Sequence, residues 1–257
     1  MTPQEPLVRV REAVPADVDD IIHIHYSAFD DDVMNELMHP GGATEESRKK
    51  FGERVFPKED TSADAAKKGK DMLYVAEYFP EGEGTPGQVI AFAKWTLYKE
   101  PRAEEDWKNE NFVPTAENFG TTANLSVIDA FIGELHRKQR DCAKGEAGLY
   151  LGILACRPDR QRLGAGSALL KFGADFADIL ELPSWLESSP VGYRVYKKFG
   201  YEDIDVVDLK VTERWGKTKS AGRYWGENNA VEIAGPVPEG VMRSVIMRRP
   251  AKAFKGL

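Results

Sequence analysis

Leu7 to Arg11 alternates apolar and charged side chains, as a strand with one face in solvent does. Pro15-Ala16-Asp17 then opens a helix on which Ile21, Ile22, His25 and Phe29 recur at helical spacing. Glu45 to Val55 reads as a second helix, and Asp60 to Lys70 is charged and Ala-rich without a clear apolar face. Leu73 to Glu77 and Val89 to Leu97 have strand character. The Pro- and Gly-rich run from Pro80 to Gly87 between them makes the pair a hairpin. Tyr98 to Phe119 shows little periodicity. Leu125 to Cys142 is helical again, with Ile128, Phe131, Ile132 and Leu135 on one side.

From Gly148 the pattern sharpens. Leu149 to Cys156 is a continuous apolar run that reads as a strand buried on both faces, broken by Arg157-Pro158-Asp159-Arg160. Gly164 to Ile179 follows as a helix with Leu169, Phe172, Phe176 and Ile179 as its apolar face. Pro183 to Glu187 is a second buried strand, and Val191 to Phe199 a helix ending at Gly200. Asp203 to Val211 and Met242 to Met247 are closing strands around a long Gly- and Asn-rich loop, 217–240. With no internal repeat and no linker, a single mixed α/β domain spanning 1–257 is the expectation.

Composition narrows the function. The formal charge of −7 argues against a general nucleic-acid binder, which needs a basic field to capture phosphate. Two cysteines, Cys142 and Cys156, imply no disulfide framework. His23 and His25 would stand about 200° apart on a helix and cannot grip one metal together. There is neither a CxxC nor an HExxH, so no metal is expected. The opening MTPQEPLVRVREAVP has no signal-peptide core and no run approaches membrane-spanning length. A cytoplasmic protein without a membrane partner, monomer or homodimer, is the expectation.

The candidate chemistry lies at Gln161-Arg162-Leu163-Gly164-Ala165-Gly166. The first amides of a helix have no intrahelical acceptor, and the helix dipole adds positive potential there. Glycines at 164 and 166 let an anion approach the main chain, and Arg157 and Arg162 flank the position. Three other phosphate or nucleophile motifs fail. A Walker loop needs Lys-Ser/Thr after its second glycine, where Ser167-Ala168 stands. A dinucleotide fingerprint needs a glycine at Leu169, and a nucleophile elbow needs glycines two residues either side of Ser167.

The hexad resembles the acyl-CoA signature of the GNAT acetyltransferases, Gln/Arg-x-x-Gly-x-Gly/Ala, through Gln161, Gly164 and Gly166. Leu151-Gly-Ile-Leu-Ala-Cys156-Arg-Pro158 resembles the bulged strand that precedes it in that superfamily. Ser188 to Tyr201 resembles its second motif, a helix ending in Tyr-x-x-x-Gly-Phe/Tyr. The resemblance covers residues 147–205, extends more loosely to 7–30 and 71–97, and is similar in arrangement to GNAT enzymes of filamentous fungi.

The resemblance implies an α/β (α+β) fold, with a mixed central sheet, two splayed parallel strands and flanking helices. It implies acetyl-CoA as cosubstrate. The Leu154 amide would face the thioester oxygen, and backbone groups of Ala155 and Cys156 would pair with the pantetheine. Amides of Arg162, Leu163, Gly164, Ala165, Gly166 and Ser167 would hold the pyrophosphate. Tyr196 would protonate the departing thiolate; its other reading is an apolar helix residue whose hydroxyl finds a partner. Many members carry Asn where Ser189 stands, so that cofactor contact is shortened or water-mediated here. Glu187, ending the second strand, is the preferred base for the amine; its other reading is a structural carboxylate. Asp30, Asp31, Glu134 and His136 are alternative bases. Asp30-Asp31-Asp32 reads either as a solvated turn or as a negative wall for an amine, and 98–146 either as a surface helix or as a lid. Cys156, inside an apolar strand, reads as a small hydrophobe.

Three functions follow: acetyl transfer to a primary amine on a small molecule, acetylation of a protein N-terminus or lysine, and non-catalytic acyl-CoA binding. Tyr196→Phe separates the last from the enzymes, because only an enzyme loses rate while CoA affinity holds.

Overall fold

The computed structural model describes residues 7–56, 69–82 and 86–252, which pack as two compact units. Most of the Ala-rich stretch at 60–70, and 83–85 of the hairpin loop, fall outside the described residues. The first unit holds residues up to 97 together with 115–125 and 151–176. The second holds 98–114, 126–150 and the chain from 177 on.

In the first unit β1 (Leu7–Glu12), β2 (Lys70–Phe79) and β3 (Gln88–Tyr98) form an antiparallel meander, with Glu12 opposite Tyr74 and Tyr78 opposite Gln88. The end of β4 (Gly148–Cys156) lies beside β3, and the Arg157 amide bonds the Ile90 carbonyl at 2.9 Å. Alternation along β3 explains what covers each face. Phe92 joins Ile21, Ile24 and Tyr26 of α1 (Val18–Ala28) and Phe51 and Val55 of α3 (Glu45–Val55) in one core cluster. Between these helices runs the short α2 (Val33–Met38), whose N-cap is Asp32: its carboxylate accepts the Met34 amide at 2.7 Å. Asp32 thus has a local structural role within the acidic triplet.

Trp95, of opposite parity, is 1% exposed and lies under Gly173, where an added Cβ would sit 2.2 Å from its ring. This contact corrects the expected apolar face of the 164–179 helix. The buried side is Leu169, Leu170, Gly173, Ala174 and Ala177, whereas Ile179 is 58% exposed and Phe172 and Phe176 are partly covered. Small residues let the helix approach the indole closely, and hydrophobic bulk alone does not reveal such a face.

In the second unit the order is β4, β5 (Ser184–Ser188), β7 (Met242–Arg249), β6 (Glu202–Leu209). β7 pairs antiparallel with both neighbours, Ser184 opposite Arg249 and Leu209 opposite Met242. β4 and β5 start side by side, the Leu149 amide bonding the Pro183 carbonyl at 2.9 Å. The sheet is therefore mixed, as expected.

The segment 98–119, unreadable by periodicity, contains only the short helices α4 (Glu104–Trp107) and α5 (Ala116–Phe119). The expected helix over 125–142 is interrupted: α6 (Leu125–Ile128) passes through a π-helical turn at Asp129–Gly133 into α7 (Glu134–Ala143). In the widened turn Arg137 reaches back eight residues to the Asp129 carboxylate at 3.0 Å. A side chain at Gly133 would stand 2.4 Å from that carboxylate. Leu135, Cys142 and Ala143 of α7 pack against the core of Trp185, Val207 and Ile246.

The long loop 217–240 is built into this unit, with Trp225, Asn229 and Ala230 buried. Arg243, 1% exposed, joins the loop to the sheet. It grips Asp208 through two bonds of 2.7 and 2.6 Å and donates to the carbonyls of Asn229 and Gly235. Among the described residues no helix is long and apolar enough to cross a membrane.

Candidate functional site

Two regions carry the sequence-derived candidates, one in each unit. In the first, β4 gives way to a 3-10 turn (Pro158–Arg160), then to the hexad and α8 (Ala165–Ile179). Arg162 has φ +65° and Gly164 φ +90°. Alternating backbone hand turns successive N–H groups toward one side and makes a concave anion site from main-chain donors. A Cβ at Gly164 would meet nothing within 4 Å, so glycine is needed there for its backbone angle and not for space. At Gly166 an added Cβ would stand 3.1 Å from the Cys156 sulfur, which is hydrogen-bonded to the Gly166 amide. Gln161 to Gly164 are exposed, and the Ala168 amide closes the first helical turn on the Gly164 carbonyl at 2.8 Å.

Arg157, flanking the hexad, has a partner within its own turn. Its guanidinium grips Asp159 through bonds of 3.0 and 2.9 Å. Burial pushes the Cys156 thiol up to about 11, so the sulfur stays protonated and behaves as the small hydrophobe expected. The expectation that Leu149–Cys156 is buried on both faces is corrected. Leu149, Leu151 and Ala155 are buried, but Gly152 is exposed and Ile153, Leu154 and Cys156 are partly so. This accessible length includes the Leu154 proposed for the thioester oxygen.

In the second unit Glu187 is reached by residues from distant parts of the sequence. The Tyr150 hydroxyl donates to Glu187 Oε2 at 2.6 Å. Oε1 is buried and accepts no hydrogen bond from the described residues. Burial raises the carboxyl above its ordinary value, opposed by nearby His136 and by the Tyr150 bond. Burial beside this carboxylate also raises the Tyr150 phenol well above its ordinary value. His136 stacks on Phe112 with centroids 5.2 Å apart and planes 9° apart, and lies 6.2 Å from the Tyr150 ring. Thus 98–146 supplies side chains to the surroundings of Glu187. Glu134, another candidate base, faces Arg214 at 3.9 Å, and Asp30 is exposed at the end of α1 in the first unit.

Tyr196 lies on α9 (Tyr193–Lys198), 8% exposed, edge-on to Tyr201 at 6.0 Å. The preceding turn is tightly held. Ser189 Oγ accepts the Gly192 amide at 3.3 Å, and a Cβ at Gly192 would fall 2.8 Å from the Tyr196 ring. Ser189 therefore shapes the turn before Tyr196. Asn229 donates to the Pro190 carbonyl at 2.9 Å and accepts from the Tyr224 hydroxyl at 2.9 Å, tying the 217–240 loop to the same turn.

Tyr150 and Phe112 were not singled out from the sequence. Tyr150 is hidden inside the apolar run of β4, and only its pairing with β5 brings it to Glu187. Among the described residues no group of three or more His, Cys, Asp or Glu could hold a metal ion.

No family model and no curated protein matches the chain. Solved structures do. One is the histone acetyltransferase HPA2 and related acetyltransferase from Corynebacterium glutamicum, 17% identical over 98% of this chain and 100% of that one, TM-score 0.51. Another is a mosquito arylalkylamine N-acetyltransferase like 5b, 15% identical over 95% and 99%, TM-score 0.54. A third is the Drosophila melanogaster polyamine N-acetyltransferase, 12% identical over 94% and 99%, TM-score 0.53. The chain has the fold of these acetyltransferases.

Proposed function

We propose that this protein transfers acetyl from acetyl-CoA directly to a primary amine on a small molecule. The observation that carries the reading is the alternating backbone at Arg162 and Gly164 ahead of α8, an anion cradle at the end of a strand with accessible backbone. In this reading the amides from Arg162 to Ser167 hold the pyrophosphate and Gln161 borders it. Backbone groups of Ala155 and Cys156 meet the pantetheine, and Ser189 shapes the turn on the Tyr196 side.

The amine nitrogen loses a proton to Glu187, directly or through water, then attacks the thioester carbonyl carbon. A C–N bond forms, and the Leu154 amide meets the charge growing on oxygen. The C–S bond then breaks and the thiolate takes the Tyr196 hydroxyl proton. Tyr196 regains a proton, through solvent, from the acylated nitrogen. Raising the Glu187 carboxyl by burial makes it a stronger base than an exposed glutamate.

The packing of Phe112 and His136 near Glu187 supports a small acceptor over an extended peptide. Two of the similar structures, an arylalkylamine N-acetyltransferase like protein and a polyamine N-acetyltransferase, are named for small amines. The test is to mix protein, acetyl-CoA and a varied amine panel and follow free thiol. Release dependent on one amine is expected; none above background with any amine overturns the proposal.

A further inference from the structure

Glu187 leaves one oxygen unused in a place where that is costly. Oε2 is held by Tyr150, while Oε1 is buried without a hydrogen bond from the described residues, and a buried acceptor without a donor is destabilising. The rings around it form a wall: Tyr150 on the carboxylate, His136 beside Tyr150, and Phe112 stacked on His136. Phe112, His136 and Tyr150 are each half-buried residues. A carboxylate oxygen in need of a donor, bordered by aromatic faces, suits an organic ammonium with a flat apolar substituent.

We infer that the acceptor is an arylalkylamine, its ammonium on Glu187 Oε1 and its ring against the wall of Phe112, His136 and Tyr150. This rests on the acetyl-transfer reading and deepens it by naming the acceptor class. It also gives the segment 98–146 a task, because Phe112 and His136 both come from it.

The test compares 2-phenylethylamine, n-butylamine and spermidine as acceptors, with acetyl-CoA binding measured separately by calorimetry. Phenylethylamine should have the highest kcat/KM, by about tenfold over butylamine, and Phe112→Ala should lower that ratio. Spermidine preferred over phenylethylamine, or a ratio unmoved in a folded Phe112→Ala, overturns the inference while leaving acetyl transfer standing. Wild-type protein provides a second arm that requires no variant. Neutral 2-phenylethanol should bind the acetyl-CoA-loaded protein at least about tenfold more weakly than phenylethylamine; equal binding overturns the role given to Oε1. If acetyl-CoA binds but no amine releases thiol, the transfer reading fails, and the calorimetric comparison still decides the amine site.

Discussion

The hydroxyl of Tyr150 donates to Oε2 of Glu187 at 2.6 Å, joining two residues 37 positions apart on neighbouring strands. The bond favours the ionised carboxylate and opposes burial, which favours the neutral acid. His136 acts in the same direction as Tyr150. Tyr150→Phe removes a stabiliser of the charged form, so the Glu187 carboxyl rises further. If Glu187 takes the amine proton, the acidic limb of the kcat/KM profile moves to higher pH in this variant. Activity well above the limb returns toward wild type. A profile whose acidic limb does not move removes Glu187 from the proton path.

The backbone at Gly164 gives a second prediction. With φ at +90° and open space where a Cβ would stand, Gly164→Ala acts through conformation alone. The cost should be about 1–2 kcal/mol, expressed as a cradle that no longer holds its shape. Acetyl-CoA should bind roughly tenfold more weakly, with little change in the chemical step once saturated. Calorimetry with acetyl-CoA and single-turnover rates separate the two; unchanged affinity would show that this turn does not hold the cofactor.

What the sequence made legible is mostly what is local. The hexad, the strand before it and Gly200 closing α9 at φ +83° are each written in a few consecutive residues. Contacts between distant segments were not legible. The buried face of α8 has no hydrophobic signature, because Gly173, which lets Trp95 approach, and the small Ala174 and Ala177 bring little bulk of their own. The π turn at Asp129–Gly133 adds a residue to the helical period, and no apolar spacing announces it. The place of Glu187 at a strand end is legible, but the rings around it come from three separate segments, Phe112 from the aperiodic stretch, His136 from the 125–142 helix and Tyr150 from inside β4. Apart from the single helical turn Val231–Ala234, the 217–240 loop lacks regular structure and is ordered through Arg243 and Asn229. Two side chains in long-range hydrogen bonds have no periodic signature.

Arg243 supplies a stability prediction. The guanidinium is almost fully buried, and Asp208 is its carboxylate partner. Asp208 is about a third exposed, so removing it leaves a buried cation that the Asn229 and Gly235 carbonyls still hold, at a cost of about 1–3 kcal/mol. Asp208→Ala should therefore lower the denaturant midpoint strongly. It should also loosen the 217–240 loop, read as faster amide exchange at Asn229 and Ala230. A change below about 0.5 kcal/mol would mean that the loop carbonyls alone hold Arg243.

His25 sets how the fold responds to acid. Its ring stacks on Phe51 at 3.9 Å, and burial, aided by Arg54, pushes its pKa down to about 3 from 6.5. Well above pH 6.5 neither folded nor unfolded chain protonates it appreciably. As pH falls below about 6.5 the unfolded chain takes up the proton and the folded one does not, so this group lowers stability down to about pH 3. The slope approaches at most about 1.4 kcal/mol per pH unit. His39, whose pKa is also lowered by burial, acts in the same direction over its own window. His25→Phe keeps an aromatic ring on Phe51 and removes one titrating group. The variant should lose less stability than wild type between pH 7 and pH 4 in urea melts. Parallel pH dependence in the two proteins would show that His25 protonates as readily in the folded chain as in the unfolded one, and that the ring is open to water.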